Sequence, residues 1–373
     1  MIVKNEAETL EQCLVLARPY IDEMVIVDTG STDGTQEIAR RYADVFEEIE
    51  WPDSFAIARN YSFDLATGDY ILVLDGDEYL PDPVQWRRLR KMLRSSEVAG
   101  IQLMIRNLLP EGQIVGADRI WQERVFLNHP RIRYQGRVHN QIQDGLLAYM
   151  QETGRKLIRL EAEIVHTGYA LSEAKMKAKY QTRIHLLRAE VEEATSARVR
   201  AYYAYQLAVV YFVMQDYEAA MAVFNRLEFA ELSPQNAFYT HLLAAQTALK
   251  LKMAPMALVH CNQMLSIERF EPVAYYTTGL ALLQAGKIGD GMLMLLEAYN
   301  VNHDGGISVR FILNPQYLVE VLASLCGRLQ LNVQAAAFKK LNEEGNYDPE
   351  LIKKMIASLK LNIVRAEMKS AAA

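Results

Sequence analysis

Over the first 170 residues, short apolar runs alternate with Gly, Pro and Asp punctuation; beyond them comes a long Ala-, Leu- and Tyr-rich stretch with little punctuation. Ile2-Val3 predicts a short strand. Leu10, Cys13, Leu14 and Ala17 fall at helical spacing within residues 8–20. Residues 24–27 form the compact apolar run expected of a buried parallel strand. Residues 28–34 read as a turn and 35–42 as a helix. A further helix over 55–66 enters through Ser54 and closes at Gly68. The plainest strand pattern is YILVL at 70–74. Asp82 and Pro83 make a cap and first-turn pair for a helix to about Arg94, and 157–165 reads as another strand. This alternation predicts a parallel sheet covered by helices on both faces. Such sheets bind ligands at the carboxyl ends of their strands, here just after Val27 and just after Leu74.

The second half repeats itself. Leu207-Ala208, Tyr211, Ala220 and Phe224 align with Ala244-Ala245, Ala248, Ala257 and Cys261, and again with Gly279, Leu282, Gly291 and Leu295. Small residues in fixed slots let the two helices of a hairpin approach closely, and the period resembles that of tetratricopeptide repeats. Residues from about 307 onward form either a fourth hairpin or a cap. The tyrosines at 202, 203, 205, 211 and 217 read as the core of the first repeat. The domain expectation is therefore 1–170, a connecting helix at 171–197, and helical repeats over 198–373.

Composition narrows the class. The length of 373 residues and a 51% hydrophobic, 23% charged make-up describe a multidomain globular chain. With 40 basic against 46 acidic residues and no basic cluster, the field needed for nucleic-acid binding is missing. No apolar run reaches the ~18 residues of a membrane helix, so no transmembrane segment is expected. MIVKNEAETL turns straight from a brief apolar run to acidic residues, unlike a signal peptide. Three scattered cysteines suit a reducing compartment and fit neither a zinc site nor a disulfide framework. The expected location is cytoplasmic, and homo-oligomer formation is left open.

Two segments carry chemistry. In YILVLDGDEYL a buried strand runs straight into Asp75-Gly76-Asp77-Glu78. Crowded carboxylates repel unless something positive sits among them, and a hard divalent cation meets that need. The other reading of these residues is a solvated turn. In VIVDTGSTDGT, Asp28 ends a second buried strand and precedes a Gly- and Thr-rich turn. An acid in that place can accept hydrogen bonds from a base or ribose. Thr32 and Asp33 are equally explained as caps of the next helix, a reading that gives no reason for Asp28.

Taken together, MIVKNE, VDTGSTDGT, ARN at 58–60, GDYILVLDGDE, RVH and HTGY resemble a family 2 glycosyltransferase. The resemblance is to the branch in which a GT-A domain, an α/β nucleotide-diphospho-sugar transferase fold, precedes tetratricopeptide-like helices. That branch includes bacterial peptide and protein glycosyltransferases such as the bacteriocin S-glycosyltransferases, and relatives acting on surface glycans. It covers about residues 1–190. It implies Asn5 and Glu6 near the nucleotide base, Asp28 on uracil and Arg59 against the nucleotide. It further implies Asp75 at the ribose or metal, Asp77 on the metal, and His166 as a late third ligand. The implied cofactor is Mn²⁺ or Mg²⁺, and the implied partners are a UDP-sugar donor and a peptide or protein acceptor. A surface-glycan transferase and a catalytically silent scaffold are the rival readings.

The catalytic base is the weak point of the resemblance. Relatives commonly carry Val-His-Glu where this chain has Val138-His139-Asn140, and Asn is no base. Glu123, Asp118 and His139 remain as candidates, with Glu123 alternatively tied in an ion pair to Arg124 or Arg119. The first strand is also unusually short, so either the start is trimmed or the sheet has one curtailed strand.

Overall fold

The computed structural model describes residues 1–108, 119–138, 141–168, 173–301 and 313–371. It divides into two compact units, Met1–Glu190 and Val191–Ala373.

The first unit is mixed α/β. Its elements run β1 (Ile2–Val3), α1 (Leu10–Ala17), β2 (Val25–Asp28), α2 (Thr35–Tyr42), β3 (Val45–Glu48), α3 (Phe55–Leu65), β4 (Tyr70–Leu72), β5 (Glu78–Tyr79), α4 (Pro83–Met92), β6 (Val98–Asn107), β7 (Arg119–Leu127), α5 (Gln143–Thr153) and β8 (Lys156–His166). Strands β1, β2 and β3 pair in parallel, as the alternating pattern predicts. The remainder corrects it. Strands β4 to β8 form a second sheet in the order β4-β7-β6-β8-β5, in which, among the described residues, the neighbours β6 and β8 pair in parallel and the other neighbouring pairs are antiparallel. The reason is that β6 and β7 follow one another as long strands, and consecutive strands pair antiparallel without needing a helical crossover.

Local chemistry explains the helix ends. Ser54 accepts a hydrogen bond from the Ile57 N–H at 3.3 Å, and Asp82 accepts one from Val84 at 2.7 Å. Gly68 does not close α3; the chain leaves the helix at Ala66, in extended conformation. Leu10, Leu14, Ile26, Leu74, Trp86, Ile101 and Ile105 are buried in one core that brings the two sheets together.

Among the described residues the second unit is helical and tetratricopeptide-like. After α6 (Glu173–Glu193) come the hairpins α7 (Ala197–Val213) with α8 (Tyr217–Phe224), α9 (Pro234–Lys250) with α10 (Ala254–Ile267), α11 (Pro272–Gln284) with α12 (Ile288–Val301), and α13 (Pro315–Arg328) with α14 (Asn332–Glu344). Helix α15 (Pro349–Ala371) follows. The small-residue slots are contacts between backbones. A Cβ on Gly279 would stand 3.0 Å from the Gly291 carbonyl, and one on Gly291 the same distance from that of Gly279. Two residues beyond the end of each first helix stands a left-handed residue: Gln215 (φ 60°), Lys252 (φ 58°), Gly286 (φ 79°) and Gln330 (φ 58°). The residue after each closes a wider hydrogen bond, as Asp216 N–H does to the Tyr211 carbonyl and Leu331 N–H to that of Cys326. This recurrence identifies α13 and α14 as a fourth hairpin. Tyr203 and Tyr211 are core, whereas Tyr202, Tyr205 and Tyr217 are only half-buried.

Candidate active site

Four chain segments converge beyond the strand ends of the first unit. The loop after β1 is stapled to the loop after β2. Asn5, Glu6 and Ala7 donate their backbone N–H groups to Ser31 Oγ (2.9 Å), Thr35 Oγ1 (2.8 Å) and Asp33 Oδ2 (3.2 Å). In return the Thr32 N–H donates to Asn5 Oδ1 at 2.8 Å. Asn5 takes a left-handed φ of 57° to do this, a conformation that asparagine tolerates better than most residues. Ser31, Thr32 and Asp33 are thus loop fasteners.

Asp28 is fully buried. Its Oδ1 accepts from the Gly30 and Ser31 N–H groups at 2.9 and 2.8 Å and from Gln36 at 3.1 Å. That geometry supplies the structural reason for Asp28 that helix capping did not. Its Oδ2 has no hydrogen-bond partner, so one buried acceptor is unsatisfied.

Around the 75–78 turn, charges are matched in pairs. Arg59 donates to Asp75 Oδ1 at 2.6 Å, and Arg124 to Glu78 Oε1 at 2.6 Å. Burial by itself would raise the Asp75 carboxyl, but Arg59 and then Arg124 hold it well below the usual carboxylate range. Asn60, next to Arg59, exchanges two hydrogen bonds of 2.9 Å with the backbone of Tyr134, which ties the middle of α3 to that segment.

Asp77 is left without a guanidinium. Its Oδ2 lies 3.2 Å from Nε2 of His166, while His166 Nδ1 is hydrogen-bonded at 2.8 Å to Asn107 Oδ1. Burial disfavours a charge on His166, yet its hydrogen bond to Asp77 carries its pKa above the ordinary value. Gly168 borders the pair: a Cβ there would come within 2.1 Å of Asp77 Oδ2 and 2.6 Å of His166 Nε2. Asp77 offers one carboxylate oxygen and His166, oriented by Asn107, one imidazole nitrogen, donors of the kind a divalent cation takes; both are largely buried, and among the described residues no third carboxylate, imidazole or thiol joins them as a metal-holding group, Asp75 included. Glu6 stands close by, since a Cβ on Gly76 would meet its side chain at 3.0 Å. Burial, then Asp77, pushes the Glu6 carboxyl up to about 7.

The acceptor-side candidates fall differently. Glu123 does not pair with Arg124, and the side chain of Arg119 lies outside the described residues; Glu123 accepts from Gln102 at 2.9 Å and Gln143 at 3.1 Å. Arg124 is instead turned to Glu78. Asp118 and His139, with Asn140, lie outside the described residues. Sequence reasoning missed the Arg124–Glu78 pair altogether, and nothing in the linear spacing of those two residues announces it.

Residues 1–144 match the family Glycosyl transferase family 2. A TPR repeat-containing protein of Synechococcus elongatus is 40% identical over 152 residues, 41% of this chain and 36% of that protein. The SPbeta prophage-derived glycosyltransferase SunS of Bacillus subtilis is 27% identical over 190 residues, 50% of this chain and 43% of its own length. The succinoglycan biosynthesis protein ExoA of Rhizobium meliloti is 28% identical over 176 residues, 44% of this chain and 50% of that one. The chain spans half or less of the length of each of these relatives.

Proposed function

Starting from a family 2 glycosyltransferase domain at residues 1–144, we propose that this chain is a metal-dependent, inverting glycosyltransferase. It moves a sugar from a UDP-sugar to a peptide or protein acceptor recruited by the helical repeats. The observation that carries this reading is the Asp77–His166 pair, 3.2 Å apart at the end of a sheet, with Gly168 packed so close that a Cβ there would strike both side chains. Asp77 and His166 would hold Mn²⁺ or Mg²⁺. A divalent cation, when bound, stabilises the negative charge that develops on the departing diphosphate.

The chain's own residues take the remaining roles. The interlocked loops at 5–7 and 31–35 form the base side of the site, with Asp28 Oδ2 as its unsatisfied acceptor. Asp75, locked by Arg59, faces the ribose rather than adding a second uncompensated charge at the metal. A general base must take the acceptor's proton. Glu123 is the described candidate, and its two amide hydrogen bonds fix the carboxylate in place. Asp118 and His139 are the others. Catalysis is assigned to residues 1–170 and acceptor recruitment to 198–373.

SunS is named a glycosyltransferase and the Synechococcus elongatus protein is named for its TPR repeats, which supports a transferase domain joined to helical repeats. Likeness to ExoA, named for succinoglycan biosynthesis, favours the second reading, a transferase that extends a surface glycan. Purified protein incubated with a panel of UDP-sugars and Mn²⁺ should release UDP. Release no greater than that of an Asp77→Asn variant would remove the catalytic reading.

A further inference from the structure

Strand β7 carries an irregularity at one residue. Opposite β6, Val125 faces Ile101 and Glu123 faces Gln102, so Arg124 is left over between two consecutive partners. A bulge of this kind breaks the alternation of side chains and re-aims the extra one. Here the re-aimed guanidinium is buried. It lies 2.6 Å from Glu78 Oε1 and 3.9 Å from Asp75 Oδ2.

The connection continues past Glu78. Its second oxygen, Oε2, accepts the Asp75 N–H at 3.0 Å, and the Glu78 N–H donates to the Asp75 carbonyl at 3.0 Å. The backbone of Arg124 is tied as well, because its carbonyl accepts from Val73 N–H at 2.8 Å. One residue therefore grips both the strand that leads into the 75–78 turn and, through Glu78, the turn itself. Asp77 sits at the middle of that turn, with its carbonyl held by Thr167 N–H and Oγ1 at 3.0 Å each.

Resting on the reading of this turn as the donor site, we infer that Arg124 is a positioning residue for nucleotide-sugar binding. Its two-pronged guanidinium, aimed by the β7 bulge, fixes through Glu78 the direction in which Asp75 and Asp77 face the ligand. A purely structural pair would behave otherwise. It would need only charge balance in the interior, which two apolar side chains of similar volume supply equally well.

The test uses the full chain, with UDP and Mn²⁺ as probe and two readouts, melting temperature and the Kd for UDP by calorimetry. Arg124→Met/Glu78→Met removes the pair without leaving a buried charge. It should melt close to wild type while its Kd rises about tenfold or more, the size of effect usual when a group orienting a ligand-binding carboxylate is lost. Arg124→Lys keeps the charge and loses the fork, and should fold with an intermediate rise in Kd. Wild-type affinity in a folded double variant, or in Arg124→Lys should the double variant not fold, overturns the inference alone. Failure of the unaltered protein to bind UDP with Mn²⁺ overturns the donor-site reading and the inference together.

Discussion

Oδ2 of Asp77 lies 3.2 Å from Nε2 of His166, although the two residues come from elements far apart in the chain. The contact exists because β5 pairs antiparallel with β8, setting Glu78 opposite His166. Asp77 is thereby placed beside the last residue of β8. Asn107, at the end of β6, takes the other imidazole nitrogen, so the ring is fixed with Nε2 toward the carboxylate.

Asp77→Asn should abolish UDP release and Mn²⁺-dependent UDP binding while the fold survives, because relieving like charge at a strand end removes a repulsion. Gly168→Ala should do the same by filling space, its Cβ arriving within 2.1 Å of Asp77 Oδ2. Calorimetry with UDP, with and without EDTA, checks both. Unchanged binding in either variant, or full activity in excess EDTA, would contradict the metal site.

UDP with Mn²⁺ should raise the melting temperature, since a ligand at about 100 times its Kd adds ~2.7 kcal/mol. Asp28→Asn keeps an acceptor for the Gly30 and Ser31 N–H groups but turns the unsatisfied oxygen into a donor. It should fold and show a smaller shift. Equal stabilisation by GDP, or an undiminished shift in Asp28→Asn, would exclude uracil recognition at this residue.

A chain ending at residue 193 should, where soluble, still bind UDP with metal and slowly hydrolyse the UDP-sugar. Transfer to a peptide or protein acceptor should fall sharply and mainly through KM, because the lost contacts are remote from the chemistry. Undiminished transfer by the shortened chain would favour a glycan acceptor held by the first unit.

The helical unit should be acid-sensitive. His241 Nδ1 lies 3.0 Å from His260 Nδ1, and the Phe229 ring stacks on His241 with centroids 4.0 Å apart. Burial, then His260, lowers the His241 pKa to about 4, and burial lowers that of His260. The unfolded chain therefore takes up protons before the folded one. Stability is complete above about pH 6.5 and declines as pH falls toward 4. Thermal melts from pH 7.5 to 4.5 should show the decline, and His241→Gln should flatten it. An equally steep decline in the variant would assign the acid sensitivity elsewhere.

Much of the architecture is written locally. The apolar run that stops at Asp28 marks the end of β2, because a carboxylate cannot follow a buried strand inward without a partner, whereas the run to Leu74 outlasts β4, which ends at Leu72. The small residues at 208, 245 and 279 mark helix contacts, because packing there tolerates no side chain larger than the slot. Strands β6 and β7 were not legible, and with them went the direction of the second sheet. Their residues Gln102, Arg106 and Gln122 interrupt the apolar pattern, and pairing partners cannot be read from one strand alone.

The sequence by itself determined the two textures, the repeat, and the carboxylates that end the buried strands, since each depends on residues near one another in the chain. Only the tertiary structure decided which charge meets which. Glu123 and Arg124 are neighbours, yet one meets Gln102 and Gln143 and the other meets Glu78. A single extra residue in the β6–β7 register separates them, and register is a property of two strands together. The same holds for Asp77 and His166, whose meeting follows from the pairing of β5 with β8.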